Sequence, residues 1–160
     1  MKTWPEAIRD GAVSGSVASL LSTTVLAAWG KQETGTPYAP INAISHWFWG
    51  DRAAQHDEPS ARYTVLGYAI HHTSSILWAA LYEKWFGDKA DRGEILPAAA
   101  AGAAVAGLAC FVDYKLTPHR LQPGFEQRLS RPSLFLVYTA FGAALALRGL
   151  ATSRNKRRRD

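Results

Sequence analysis

The chain has 160 residues, 48% hydrophobic and 19% charged, with a formal net charge of +5 at pH 7 and one cysteine. That length holds one core, and the composition excludes intrinsic disorder, a disulfide scaffold and an extended coiled coil. None of the 18 Lys and Arg or 13 Asp and Glu residues falls in positions 11–30, 63–82, 95–112 or 133–147, so uncharged stretches alternate with densely charged ones. A soluble helix carries a polar stripe with Lys or Glu on it. These stretches have no such residue, which argues against a soluble bundle and against a soluble enzyme.

An apolar helix needs ~20 residues to cross a ~30 Å hydrocarbon layer. Residues 11–30, between Asp10 and Lys31, match that length. The leader carries Lys2, Glu6, Arg9 and Asp10, and the apolar run exceeds the ~7–15 residues of a signal-peptide core, so a retained anchor is expected. Gly11, Gly15, Ser19 and Thr23 recur every four residues, with Ala18 and Ser22 beside them. Small residues at that spacing let backbones approach closely, within one chain or, as the alternative, in a homodimer. In the following loop, Pro40 can open a short helix with Ile41, Ile44 and Phe48 on one side, flanked by Trp47 and Trp49 and stopped by Gly50. Such an aromatic amphipathic stretch reads as an interfacial helix.

The second span, 63–82, carries Tyr63, Tyr68, Trp78 and Tyr82, with Trp85 just beyond, as expected of rings at the headgroups. The third, 95–112, is mostly Ala and Gly and depends on packing against its neighbours. In the second loop, Thr117-Pro118 reads as a cap and first turn, Pro123-Gly124 as a turn, and 125–129 as a short helix. The fourth span opens at Pro132 and reaches full length, to 151, if Arg148 snorkels to the interface. The fold is therefore expected to be an all-α, four-span transmembrane bundle over 1–152, with an interfacial helix in the first outer loop. A basic tail, 153–160, follows. Arg157, Arg158 and Arg159 would anchor on anionic headgroups at ~1 kcal/mol each, rather than bind nucleic acid. Placing both termini in the cytoplasm puts eleven of the 18 Lys and Arg residues inside, in keeping with the positive-inside rule.

His71 and His72 sit at the midpoint of the second span. Ionisable groups at that depth face the bundle or a wet cavity. At 100° per residue they join Thr64, Gly67, Tyr68, Ser75, Trp78 and Tyr82 in a polar stripe, opposite Leu66, Ile70, Leu77 and Leu81 on a lipid-facing side. His71, His72, Tyr68 and Ser75 form the candidate functional face. It serves either helix packing or a proton-, haem- or metal-linked activity, since neutral imidazole both donates and accepts. Adjacent histidines diverge by ~100° and cannot chelate one ion as an i, i+4 pair would. No cofactor or metal is therefore assigned.

A second candidate group lies in the outer loops, at His46, Asp51 and Asp113, with His56 and Asp57 nearby. Asp113 and Glu83 close the third and second spans at opposite membrane faces, too far apart for two-metal chemistry. No Gly-rich phosphate loop, HExxH, GxSxG or CxxC occurs, and Cys110 reads as core filler. This points away from an enzyme and towards a binding or accessory protein. Its partners would be the bilayer and another membrane protein or a second copy, not nucleic acid.

The strings Pro-Ile-Asn-Ala-Ile-Ser-His-Trp-Phe-Trp-Gly-Asp51, His71-His72-Thr-Ser-Ser and Asp113-Tyr-Lys-Leu-Thr-Pro resemble segments of small bacterial inner-membrane proteins. The layout of hydrophobic segments is similar to that of the YagU-like proteins. The resemblance implies a multi-pass protein of the bacterial inner membrane and supplies no activity.

Overall fold

The computed structural model describes residues 1–157, with side chains through Arg154; Arg158 and Arg159 of the expected lipid anchor lie outside the described residues. In chain order the helices are α1 (Trp4–Thr34), α2 (Ala39–Ile44), α3 (His46–Trp49), α4 (Leu66–Trp85), α5 (Gly87–Asp91), α6 (Ile95–Phe111), α7 (Arg131–Leu145) and α8 (Leu147–Arg157). No strand occurs among the described residues. Three helical stretches are long and apolar enough to cross a bilayer: Trp4–Thr34, Ile95–Leu116 and Arg131–Arg154. α4 has the length, at 20 residues. Its paired histidines, hydroxyls and terminal Glu83 and Lys84 keep its hydropathy below that of the other three.

α1 is longer than its uncharged stretch because both ends are capped. Glu6 accepts from the backbone N–H and the hydroxyl of Thr3 at 2.8 and 2.7 Å, and Gly35 ends the helix at φ 82°, where an L side chain is strained. Gly11, Ser14, Gly15, Ala18, Ser19 and Ser22 are buried on one face. A Cβ on Gly11 or Gly15 would lie 2.6 Å from the Cα of Ala80 or Ile76, so only glycine permits this approach to α4. The two contacts step four residues up α1 and four down α4, an antiparallel register that puts Ser19 opposite His72. The small-residue stripe therefore serves packing within the chain.

α1 packs on α4 and α7, and α6 packs on α7 through Gly102 and Gly142, each lying against the other's carbonyl. α4 and α6 meet only lightly. The four long helices thus form a ring, α4–α1–α7–α6, with a seam between its first and last members. α6 keeps Ala98, Ala101, Gly102, Val105, Ala106 and Ala109 inward, so its weak apolarity is offset by close contact.

One end of the bundle is held by charge. Lys2 Nζ, almost fully buried, lies 2.9 Å from Asp10 Oδ2, 2.6 Å from Glu83 Oε2 and 2.7 Å from Asp91 Oδ2. Arg148 adds 2.7 Å to Asp10 Oδ1 and 3.4 Å to Asp91 Oδ1, and Arg9 touches Asp10 from the exposed side. Burial opposes the lysine charge, but hydrogen bonds to Asp91, Glu83 and Asp10 outweigh it and raise the pKa of Lys2 above its usual range. A base held above its unfolded value contributes stability that is fully present at neutral pH. That contribution fades only as pH climbs past the lysine range. Arg148 does not snorkel towards headgroups as expected; three carboxylates draw it into the protein, just past the break between α7 and α8 at Ala146.

The opposite end is held by its loops. All of α2 is buried, whereas Phe48 in α3 is 61% exposed and Trp49 also reaches the surface. The expected interfacial helix is therefore two short helices, the first packed into the protein between α1 and α4. Asn42 fixes it, donating to the carbonyls of His56 and Glu58 at 2.8 and 3.0 Å and accepting from the Thr64 hydroxyl at 2.6 Å. In the second loop, the expected helix over 125–129 is a single tight turn, Phe125–Gln127, after Gly124 at φ 91°. Phe125 and Leu129 anchor it in a cluster with Leu26, Ile44 and Val137. Glu33, at the end of α1, accepts from the Ser130 N–H and hydroxyl and from the Ser133 hydroxyl, capping α7 across the bundle.

Removing Lys2 leaves buried carboxylates in excess. Lys2→Met is expected to lower stability by about 3–5 kcal/mol in thermal unfolding in detergent. Adding Glu83→Gln restores the charge balance and should recover part of that loss.

Candidate functional site

A cavity of about 70 Å³ lies inside the loop-end half of the ring, along the seam. By the measure in which one water needs ~10–15 Å³, it has room for several waters or a small head group. α1 supplies Ser22; α4 supplies Ile70, His71, Ser74, Ser75 and Trp78; α7 supplies Val137, Tyr138 and Phe141. Ala109 and Asp113 contribute from α6 and the π-helical turn that extends it, and Trp47, Leu121, Pro123 and Phe125 close the loop side.

The polar groups fall into two sets. His71 Nε2 pairs with Ser22 Oγ at 2.8 Å, and the imidazole stands edge-on to Phe125, 6.4 Å between ring centres. Ser22 also donates to the Ala18 carbonyl at 2.8 Å, so the hydroxyl is fixed before it meets the ring. On the facing wall, the Tyr138 hydroxyl donates to Asp113 Oδ2 at 2.6 Å. Tyr114 packs edge-on against Tyr138 and its hydroxyl reaches Glu126 at 3.5 Å, extending an acid–phenol chain to the loop surface. Burial raises the pKa of the Glu126 carboxyl above the usual range; backbone N–H bonds and the nearby His46 oppose this only in part.

The sequence grouped His71, His72, Tyr68 and Ser75, and the structure divides them. His71 and Ser75 line the cavity. His72 turns away and tilts against Tyr68 at 5.6 Å, with its Nδ1 buried and unpartnered. Ser19 Oγ and Thr23 Oγ1, which the α1–α4 register places opposite His72 and Tyr68, are likewise buried without a partner. Leu77 is 64% exposed, as the expected lipid face requires, but Ile70 turns inward to the cavity.

The outer-loop group also separates. Asp113 reaches the cavity. His46 is buried just outside it, its Nε2 2.8 Å from the Gln122 carbonyl, which Trp47 Nε1 also approaches at 2.8 Å. His46 thus stitches the two loops together, while Asp51 is exposed in a turn over Gly50–Gln55. Asp113 and Glu83 do lie at opposite ends of the bundle. Asp10, Glu83 and Asp91 converge closely enough to hold a metal ion, but Lys2 Nζ already stands among them as the cation.

Tyr138, Ser74 and Trp47 carried no catalytic or ligand signal in the sequence. Tyr138 is an ordinary aromatic in an apolar span until α7 sets it against Asp113. No protein family model, curated protein or solved structure matches the chain.

The two histidines should respond oppositely to replacement. His71→Leu loses the Ser22 pairing and should cost about 1 kcal/mol in thermal unfolding. His72→Leu removes a buried, unpaired nitrogen and should leave stability unchanged or higher.

Proposed function

We propose that the chain is a four-span inner-membrane protein that binds a small molecule in the seam cavity and acts as a binding or accessory protein, not as a catalyst. The fourth span is α4. His71 pairs with Ser22 and the Nδ1 of His72 is buried beside Tyr68, so its low hydropathy does not place these imidazoles in lipid. Lys2, Arg9, Lys84, Lys89, Arg92 and Arg148 sit at the charged end, which supports a cytoplasmic placement for that end and for both termini. The resemblance to small bacterial membrane proteins supports the bacterial compartment.

The observation that carries the binding role is the cavity's composition. Its wall is mostly aromatic and aliphatic, with a few polar groups, His71, Ser75, Tyr138 and Asp113, held in place by other hydrogen bonds or by burial. That is the make-up of a small-ligand site. The loosely packed seam between α4 and α6 supplies a route for an apolar tail to reach lipid. Ser22 and His71 stand 2.8 Å apart in the wall, but the Ser22 hydroxyl gives its proton to the Ala18 carbonyl and not to the imidazole, which supports binding rather than turnover.

Native mass spectrometry of protein released from a mild detergent tests this reading. The wild type should carry one small adduct per chain, and Ser74→Phe, which fills the cavity, should lose it. A wild type that emerges bare under conditions that keep annular lipid would contradict the proposal.

A further inference from the structure

The cavity wall is unbalanced in charge. Asp113 is its one carboxylate, and no Lys or Arg lines it. Oδ2 of Asp113 is taken by Tyr138, and Oδ1 makes no hydrogen bond among the described residues. The same cavity is lined by Trp47, Trp78, Phe125, Tyr138 and Phe141, five aromatic rings in one small space. Glu126, one phenol further out through Tyr114, adds a second acid behind the first. Arg120, in the second loop, donates to the Trp47 carbonyl at 2.8 Å and is exposed to solvent.

A carboxylate facing aromatic rings selects for a weakly hydrated cation. The ring faces are electron-rich and attract positive charge, most strongly where water is excluded. An inorganic ion brings a hydration shell that rings cannot replace, whereas an alkylammonium sheds little water and offers methylenes to the same surfaces. An anionic ligand would meet Asp113 with no cation to offset it. The seam beside the cavity leads away from this head-group site between α4 and α6, along the apolar surface of both helices.

We therefore infer, resting on the binding role proposed above, that the ligand is a cationic amphiphile: an ammonium head seated on Asp113 among the rings, with an alkyl tail along the α4–α6 seam. His71, held by Ser22 on the opposite wall, presents a polar surface to the head without competing for the carboxylate.

Titrating the detergent-solubilised full-length protein with hexylammonium and with hexanol, followed by tryptophan fluorescence, tests this, since Trp47 and Trp78 line the site. Hexylammonium should bind saturably and roughly tenfold or more tighter than hexanol. Asp113→Asn should bring the two to near parity while retaining hexanol binding. Equal affinity of amine and alcohol for the wild type would overturn the charge inference and leave the binding role standing. If neither perturbs the fluorescence, both fail. Should Asp113→Asn not fold, the amine–alcohol comparison on the wild type decides alone.

Discussion

The close approach of α1 to α4 is the constraint on which the remainder of the molecule depends. Gly11 and Gly15 let the two backbones touch at Ala80 and Ile76, where any side chain would collide. With that contact fixed, the antiparallel register is fixed. Ser22 then meets His71 in mid-bundle, and Asp10 and Glu83 come close enough at the charged end to share Lys2. In lipid there is no hydrophobic force to press helices together, so contact at backbone distance has to come from small residues and from polar links. This chain uses both, at successive levels of one interface.

The polar links are distributed unevenly. At the charged end, Lys2 and Arg148 gather carboxylates from α1, α4 and α5 and so join the start of the chain to its last helix. At the other end, neutral hydrogen bonds dominate: Asn42 ties the first loop to α4, and Glu33 caps α7. Between them the ring is left incomplete, because α6 is fastened to α7 and only brushes α4. The cavity is a consequence of that incompleteness. Two walls are built to close tolerance by glycine contacts, and the side between them is not.

Much of this was legible in the sequence. The uncharged stretches, their approximate lengths and the small-residue stripe of α1 follow from composition and spacing alone, because each reports directly on the cost of charge in oil or bulk at a contact. The inward placement of His71 and Ser75 followed from helical geometry. What was not legible depended on partners. A period cannot tell which of two adjacent histidines meets a hydroxyl, and Ile70 turned inward because it packs against the cluster that the loops complete with Ile44, Phe125 and Leu129. Arg148 read as a residue seeking headgroups until three carboxylates from distant segments converged on it. Tyr138 carried no signal because its role rests on a single contact with Asp113, 25 residues away.

Pairwise cysteine cross-linking in native membranes, in a Cys110→Ala background, tests the interlocking of α1 and α4 most directly. The register places position 19 opposite position 72, so Ser19→Cys with His72→Cys should oxidise readily to an intramolecular disulfide. Ser19→Cys with Leu77→Cys, whose second site faces outward, should not. Failure of the first pair, or equal efficiency of the two, would contradict the arrangement of the whole bundle.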